Sequence, residues 1–195
     1  MWYLAFISFL LLGGYLLLMA LRFGIPNMVS DTYYQLQSTT GSEIAPFKQP
    51  RNMGWIFSLI MVAVAFMMLI CLLDTGMGIQ FLAFLGCAGL CFVGFAPNYC
   101  DRDAYSVHKS AAIVAAAGCV GWCLSVGWCL SVCWWITFVI ALIYTIYLVA
   151  IDFFKVANSF WYIGKDVKFH PWYWLEIAGF ADVFLTYLFV ELFII

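Results

Sequence analysis

Between residues 95 and 110 the sequence FAPNYCDRDAYSVHKS gathers Asp101, Arg102, Asp103, His108 and Lys109 into one short stretch. Carboxylates and an imidazole at this spacing can act directly as acid and base, or can hold a divalent metal such as zinc that activates a water molecule. Asp101, Asp103 and His108 are therefore the candidate catalytic residues. The second of the chain's two histidines, His170, extends the set to a candidate metal site of Asp101, His108 and His170. No His-x-x-x-His or His-x-x-Glu-His spacing accompanies it. The competing reading is structural. Asp103 or Ser106 caps a helix N-terminus, while Arg102, His108 and Lys109 meet lipid phosphates.

A second polar group is Glu176 with Asp182. The surrounding run 172–195 is otherwise apolar apart from Glu191, and Asp182 lies about ten residues inside its nearer end, a depth at which a carboxyl must face protein or a wet cavity. Ala178, Asp182 and Thr186 recur every fourth residue with Gly179 beside them, which predicts a narrow face for close helix packing. Asp182 is then either an interhelical hydrogen-bonding group or part of a substrate or proton pathway. Glu191 is expected near the outer end, reaching water. Candidate substrate-binding residues are Arg102, Glu176 and Asp182, and Ser30 joins them below.

These groups must be positioned by elements that live in lipid. Of 195 residues 67% are hydrophobic and 9% charged, with a mean hydropathy of +1.03, whereas a soluble chain is about a quarter charged. A net charge of −2 with no basic block excludes a nucleic-acid binder. Uncharged runs at 1–21, 54–73, 79–96, 110–125, 131–151 and 172–195 are each close to the roughly 20 residues that cross a bilayer. No alternating pattern supports a barrel, so the predicted fold is all-α, a polytopic bundle of six transmembrane helices in a single membrane domain over 1–195. The run 1–21 lacks a basic leader and a cleavage site and reads as a retained helix.

Nothing charged interrupts the 42 residues between Lys109 and Asp152, so two helices must be joined there by an uncharged turn. The turn is expected inside a tandem repeat, GWCLSV at 121–126 and again at 127–132. Six residues advance a helix by about 240°, so the two copies cannot share a face. Ala111, Ala115 and Gly118 give the preceding helix a small-residue side and predict a place at the centre of the bundle. Polar residues recurring between Asp152 and Asp166 suit either an interfacial amphipathic helix or an extension of the fifth span.

All eight Lys and Arg fall in loops on one side, after the first, third and fifth spans, so the positive-inside rule makes those loops cytoplasmic. Trp2, Trp55, Trp134, Trp135, Trp172 and Trp174 lie near span boundaries, where amphipathic rings settle at headgroup depth. Seven of the eight cysteines lie in or beside spans and read as small packing residues; Cys100 lies in a loop.

Two segments carry a resemblance. IPNMVSDTYYQL at 25–36, together with GFAP at 94–97 and the stretch from Asp101 to His108, resembles the prokaryotic six-helix membrane domain-of-unknown-function family 998 over helices one to four. The resemblance implies Pro26, Ser30, Pro97, Asp101 and His108 as matching positions, although Asn98, Tyr99 and Cys100 stand where the family has a closer Pro-x-Asp spacing. It also suggests a lipid-directed role. The expectations are therefore a bacterial inner-membrane protein with a polar cytoplasmic-face pocket that binds or modifies a lipid. The alternatives are a small transporter or channel subunit using Asp182 and Glu176, or a non-catalytic accessory subunit with a membrane partner or a second copy of itself.

Overall fold

The computed structural model describes residues 1–26, 28–37, 53–97, 102–130, 143 and 171–193, and among these it is helical, with no strand. The helices are α1 (Trp2–Phe23), α2 (Asp31–Gln37), α3 (Trp55–Asp74), α4 (Gln80–Phe95), α5 (Arg102–Leu130) and α6 (Pro171–Phe193). Three are long and apolar enough to cross a membrane: α1, α3, and α5 over Ala104–Trp128. α4 is apolar but shorter, and α6 carries Glu176, Asp182 and Glu191 along its length. Five expected spans thus fall on described helices. The expected span 131–151 and the amphipathic stretch 152–166 lie outside the described residues.

Backbone chemistry sets where the helices stop. α1 ends at Gly24, whose φ of 85° lets its N–H turn back to Ala20 O at 3.0 Å; a side chain at this φ would be strained. α3 ends at Thr75, whose hydroxyl donates to Leu72 O at 2.7 Å and accepts from Met77 N at 3.2 Å. Gly76 and Gly78, at φ 62° and 67°, then reverse the chain into α4.

α4 and α5 form the tightest pair. A methyl group built on Gly86 would stand 2.7 Å from Cys119 N, and one on Gly89 would stand 2.6 Å from Ala115 N, so the backbones themselves are in contact. The predicted small side of Ala111, Ala115 and Gly118 is the surface that allows this approach. Lipid tails are as apolar as the side chains, so such packing, not hydrophobic transfer, holds membrane helices together. Of the close-packing face expected at Ala178, Asp182 and Thr186 with Gly179, Asp182 and Thr186 lie by Cys123 of α5, whereas Ala178 and Gly179 make no close contact. Ala178 is exposed and a methyl on Gly179 would meet nothing within 4 Å, because α6 approaches α5 through the longer side chains of Asp182 and Val183 instead.

The turn expected inside the tandem repeat does not fall before Leu130, and the last two residues of the repeat, 131 and 132, lie outside the described residues. α5 runs unbroken through the first copy and on to Leu130, since GWCLSV contains no residue that forces a helix to end. The two copies do face differently. Trp122 is fully buried, with its indole N–H donating to Met77 O at 3.2 Å, whereas Trp128 is 75% exposed. Ser125 in the first copy accepts the Ile79 N–H at 2.9 Å. The first copy therefore clamps the α3–α4 turn. Ser106, weighed as a helix cap, lies inside α5, more than a turn past its start.

The outward faces of α1, α3 and α4 are a continuous apolar belt, including Leu18, Leu21, Phe66, Phe84 and Phe95. An exposed belt of this kind belongs against lipid, not water. One end of the bundle collects the Met1 ammonium, 3.3 Å from Glu191 and 3.9 Å from Asp74, so Glu191 is paired there as well as near water. The other end collects α2 and the starts of α5 and α6.

The α4–α5 contact yields a direct test. Gly118→Leu is expected to cost at least about 1–3 kcal/mol through overpacking and to lower the unfolding midpoint in detergent. Gly14→Ala, whose added methyl meets nothing within 4 Å, is expected to leave that midpoint unchanged. Equal behaviour of the two variants would refute close backbone packing as the organising contact.

Candidate functional site

The site is built by a segment that leaves the end of α1 and turns back into the bundle. Asp31 N, Thr32 N and Tyr33 N bond to Met28 O, Val29 O and Ser30 O, each at 3.1 Å, and start α2. The Asp31 carboxylate reaches back to the Met28 N–H at 3.1 Å, in the manner of a capping box. This local chemistry makes a short helix out of a polar sequence. Its residues are then buried to an unusual degree: Ser30, Asp31, Thr32 and Gln35 are all buried, Thr32 completely.

Buried polar groups require partners, and here they come from several helices. Tyr15 of α1 donates its hydroxyl to Thr32 Oγ1 at 2.8 Å, and Thr32 in turn donates to Val29 O at 2.7 Å. Glu176 of α6 accepts the Val29 N–H through Oε2 at 2.6 Å. Gln35 Nε2 donates to Gly24 O at 3.3 Å. His108, one and a half turns into α5, is buried with Nδ1 2.7 Å from Ala96 O. A carbonyl only accepts, so Nδ1 carries the proton and acid–base chemistry at this ring passes through Nε2. The Asp31 carboxylate lies within electrostatic reach of both His108 and Glu176. Apolar neighbours of the cluster are Tyr15, Val29, Leu36, Phe57, Ala111 and Tyr173, drawn from five helices and the turn before α2.

The expected residues divide accordingly. His108, Glu176 and Ser30 are brought to the same end of the bundle. Asp101 and His170 lie outside the described residues, as do the side chains of Arg102 and Asp103, so the expected catalytic set and the Asp101, His108, His170 metal set meet the structure only at His108. Among the described residues no group of three His, Cys, Asp or Glu side chains is placed to hold a metal. Asp182 is separate from the cluster. It is buried and lies beside Cys123 of α5, which also neighbours Thr186. Cys123, with Cys71 and Cys87, is a buried free thiol.

Asp31, Thr32, Gln35 and Tyr15 were not singled out from the sequence. A signal existed in SDTYYQL, since Asp31 and Gln35 are one helical turn apart, but a polar loop after a transmembrane helix carries no sign that it folds inward.

Replacing Tyr15 by Phe removes the bond to Thr32 and is expected to cost about 1 kcal/mol, while Glu176→Leu, which leaves the Val29 N–H without an acceptor, is expected to cost about 1–3 kcal/mol. Unfolding midpoints of the two variants and of Glu176→Gln, which keeps an acceptor, check the ranking. A Leu variant as stable as the Gln variant would contradict a structural role for this bond.

The chain was compared with protein-family models, with curated proteins and with solved structures, and none matches it.

Proposed function

We propose that this chain is a multi-pass protein of the bacterial inner membrane, a six-span bundle whose cytoplasmic end binds the headgroup of a membrane lipid. The observation that carries the reading is that Glu176 bonds the Val29 N–H just before α2 while Asp31, at the start of α2, lies within electrostatic reach of both Glu176 and His108. Such a group of polar side chains, placed at one end of helices whose outer faces are apolar, lies where a headgroup would be with its tails on the belt. Glu176 is five residues from the start of α6, about 8 Å along the axis, a depth between headgroups and hydrocarbon. Ser30, implied by the family resemblance, is in the same segment. If the bound lipid is also modified, the base is Nε2 of His108, held in register by the Ala96 carbonyl.

The transport reading draws less support. On α6 the residues Phe180 and Val183 that follow Glu176 pack into the apolar core, and Asp182 is buried beside Cys123 of α5.

Native mass spectrometry of the purified protein is expected to retain lipid. His108→Ala and Asp31→Asn should reduce retention at least tenfold, whereas Asp182→Asn should bind as the parent does. Lipid retention unaffected by the first two variants would overturn the reading. In intact cells a membrane-impermeant thiol reagent should leave Cys100 unlabelled until lysis; labelling before lysis would invert the orientation.

A further inference from the structure

The apolar belt is indented between α3 and α4. On α4, Phe84, Cys87, Ala88, Cys91 and Phe92 fall at i, i+3, i+4, i+7 and i+8, one face of a helix, and with Ala65 of α3 they line a groove of about 190 Å³. Ala65 and Cys87 are buried and close its floor, Ala88 and Cys91 are half-buried, and Phe84 and Phe92 stand 51% and 57% exposed at its two ends. The indentation exists because small side chains lie between large ones.

Position and chemistry select what fills it. Ala65 is ten residues into α3, about 15 Å along the axis and near the middle of a hydrocarbon layer of about 30 Å. The lining side chains offer no nitrogen or oxygen, and water occupies a cavity only where polar partners hold it. An apolar cavity of about 150 Å³ stays dry and admits a benzene-sized hydrocarbon. This groove is of the same order, so it holds a stretch of one acyl chain but not a second helix roughly 10–12 Å across. At its Phe92 end it adjoins the candidate site: Phe92 O accepts the Ala96 N–H at 2.9 Å, and Ala96 O accepts Nδ1–H of His108 at 2.7 Å.

We propose that the groove between α3 and α4 binds one acyl chain of a membrane phospholipid. The proposal rests on the lipid-headgroup reading above, for which it supplies the tail subsite.

The test uses the full chain in vesicles of phosphatidylethanolamine and phosphatidylglycerol that carry a trace of the same lipids with a diazirine at mid-chain. After illumination, peptide mass spectrometry reads the label on Cys91 and, as a reference on the open belt, on the α1 peptide containing Leu17 and Leu18. A88F fills the groove and keeps Cys91. It is expected to lower Cys91 labelling at least fivefold and to leave α1 labelling unchanged, with folding verified by its unfolding midpoint; A88L serves if A88F fails to fold. Cys91 labelling equal in parent and variant overturns the tail subsite. So does a Cys91 that takes no label but is joined between two chains by a short bismaleimide, since the occupant is then a second copy. H108A separates this proposal from the headgroup reading. If A88F lowers Cys91 labelling while H108A leaves lipid retention unchanged, the groove stands and the headgroup reading falls; the reverse pattern overturns the groove and leaves the headgroup reading in place.

Discussion

The hydrogen bond from the Val29 N–H to Glu176 expresses the constraint on which the site depends. Chain that turns back from a membrane helix carries backbone groups that lipid cannot satisfy. Each must find a partner within the protein, or the segment cannot stay. Glu176 supplies one partner, Thr32 a second for the Val29 carbonyl, and Gln35 a third for Gly24 O. Because these partners come from α2 and α6, with Tyr15 of α1 bonded to Thr32, seating α2 also fixes the relative positions of those helices at this end. The polar side chains that satisfy the return are then the ones left facing each other as a site.

The remainder of the bundle answers a different demand. α4 and α5 gain contact by bringing backbones together at Gly86, Gly89 and Gly118, where side chains would hold them apart. That approach carries His108 toward the α4 C-terminus, where Ala96 O receives its Nδ1–H. At the far end, Trp122 and Ser125 tie α5 to the α3–α4 turn. Position of the imidazole thus depends on glycines more than two turns away, through a helix pair held at both ends.

The carboxyl groups of α6 show how location changes chemistry. Glu176 meets a backbone amide and Asp31, Asp182 meets a thiol, and Glu191 meets an ammonium. One residue class serves three purposes because each of the three faces a different helix or loop, and the depth of each along α6 sets what that neighbour can be.

Composition, the length of the apolar runs and the placement of charge were sufficient to establish helical structure and apolar segments near the observed α1, α3, α4 and α6, since those properties depend on the solvent around each helix. They also marked His108 and Glu176 as polar groups needing a reason, and the small side of α5 as a packing surface. What they did not determine was which polar residues meet. Asp31 and Gln35 read as loop, and Gly179 read as part of a contact face. Those matters rest on distances between segments far apart in the chain, such as the 147 residues separating Val29 from Glu176. Local spacing cannot specify them, because a partner for a buried group is chosen by the packing of the whole bundle.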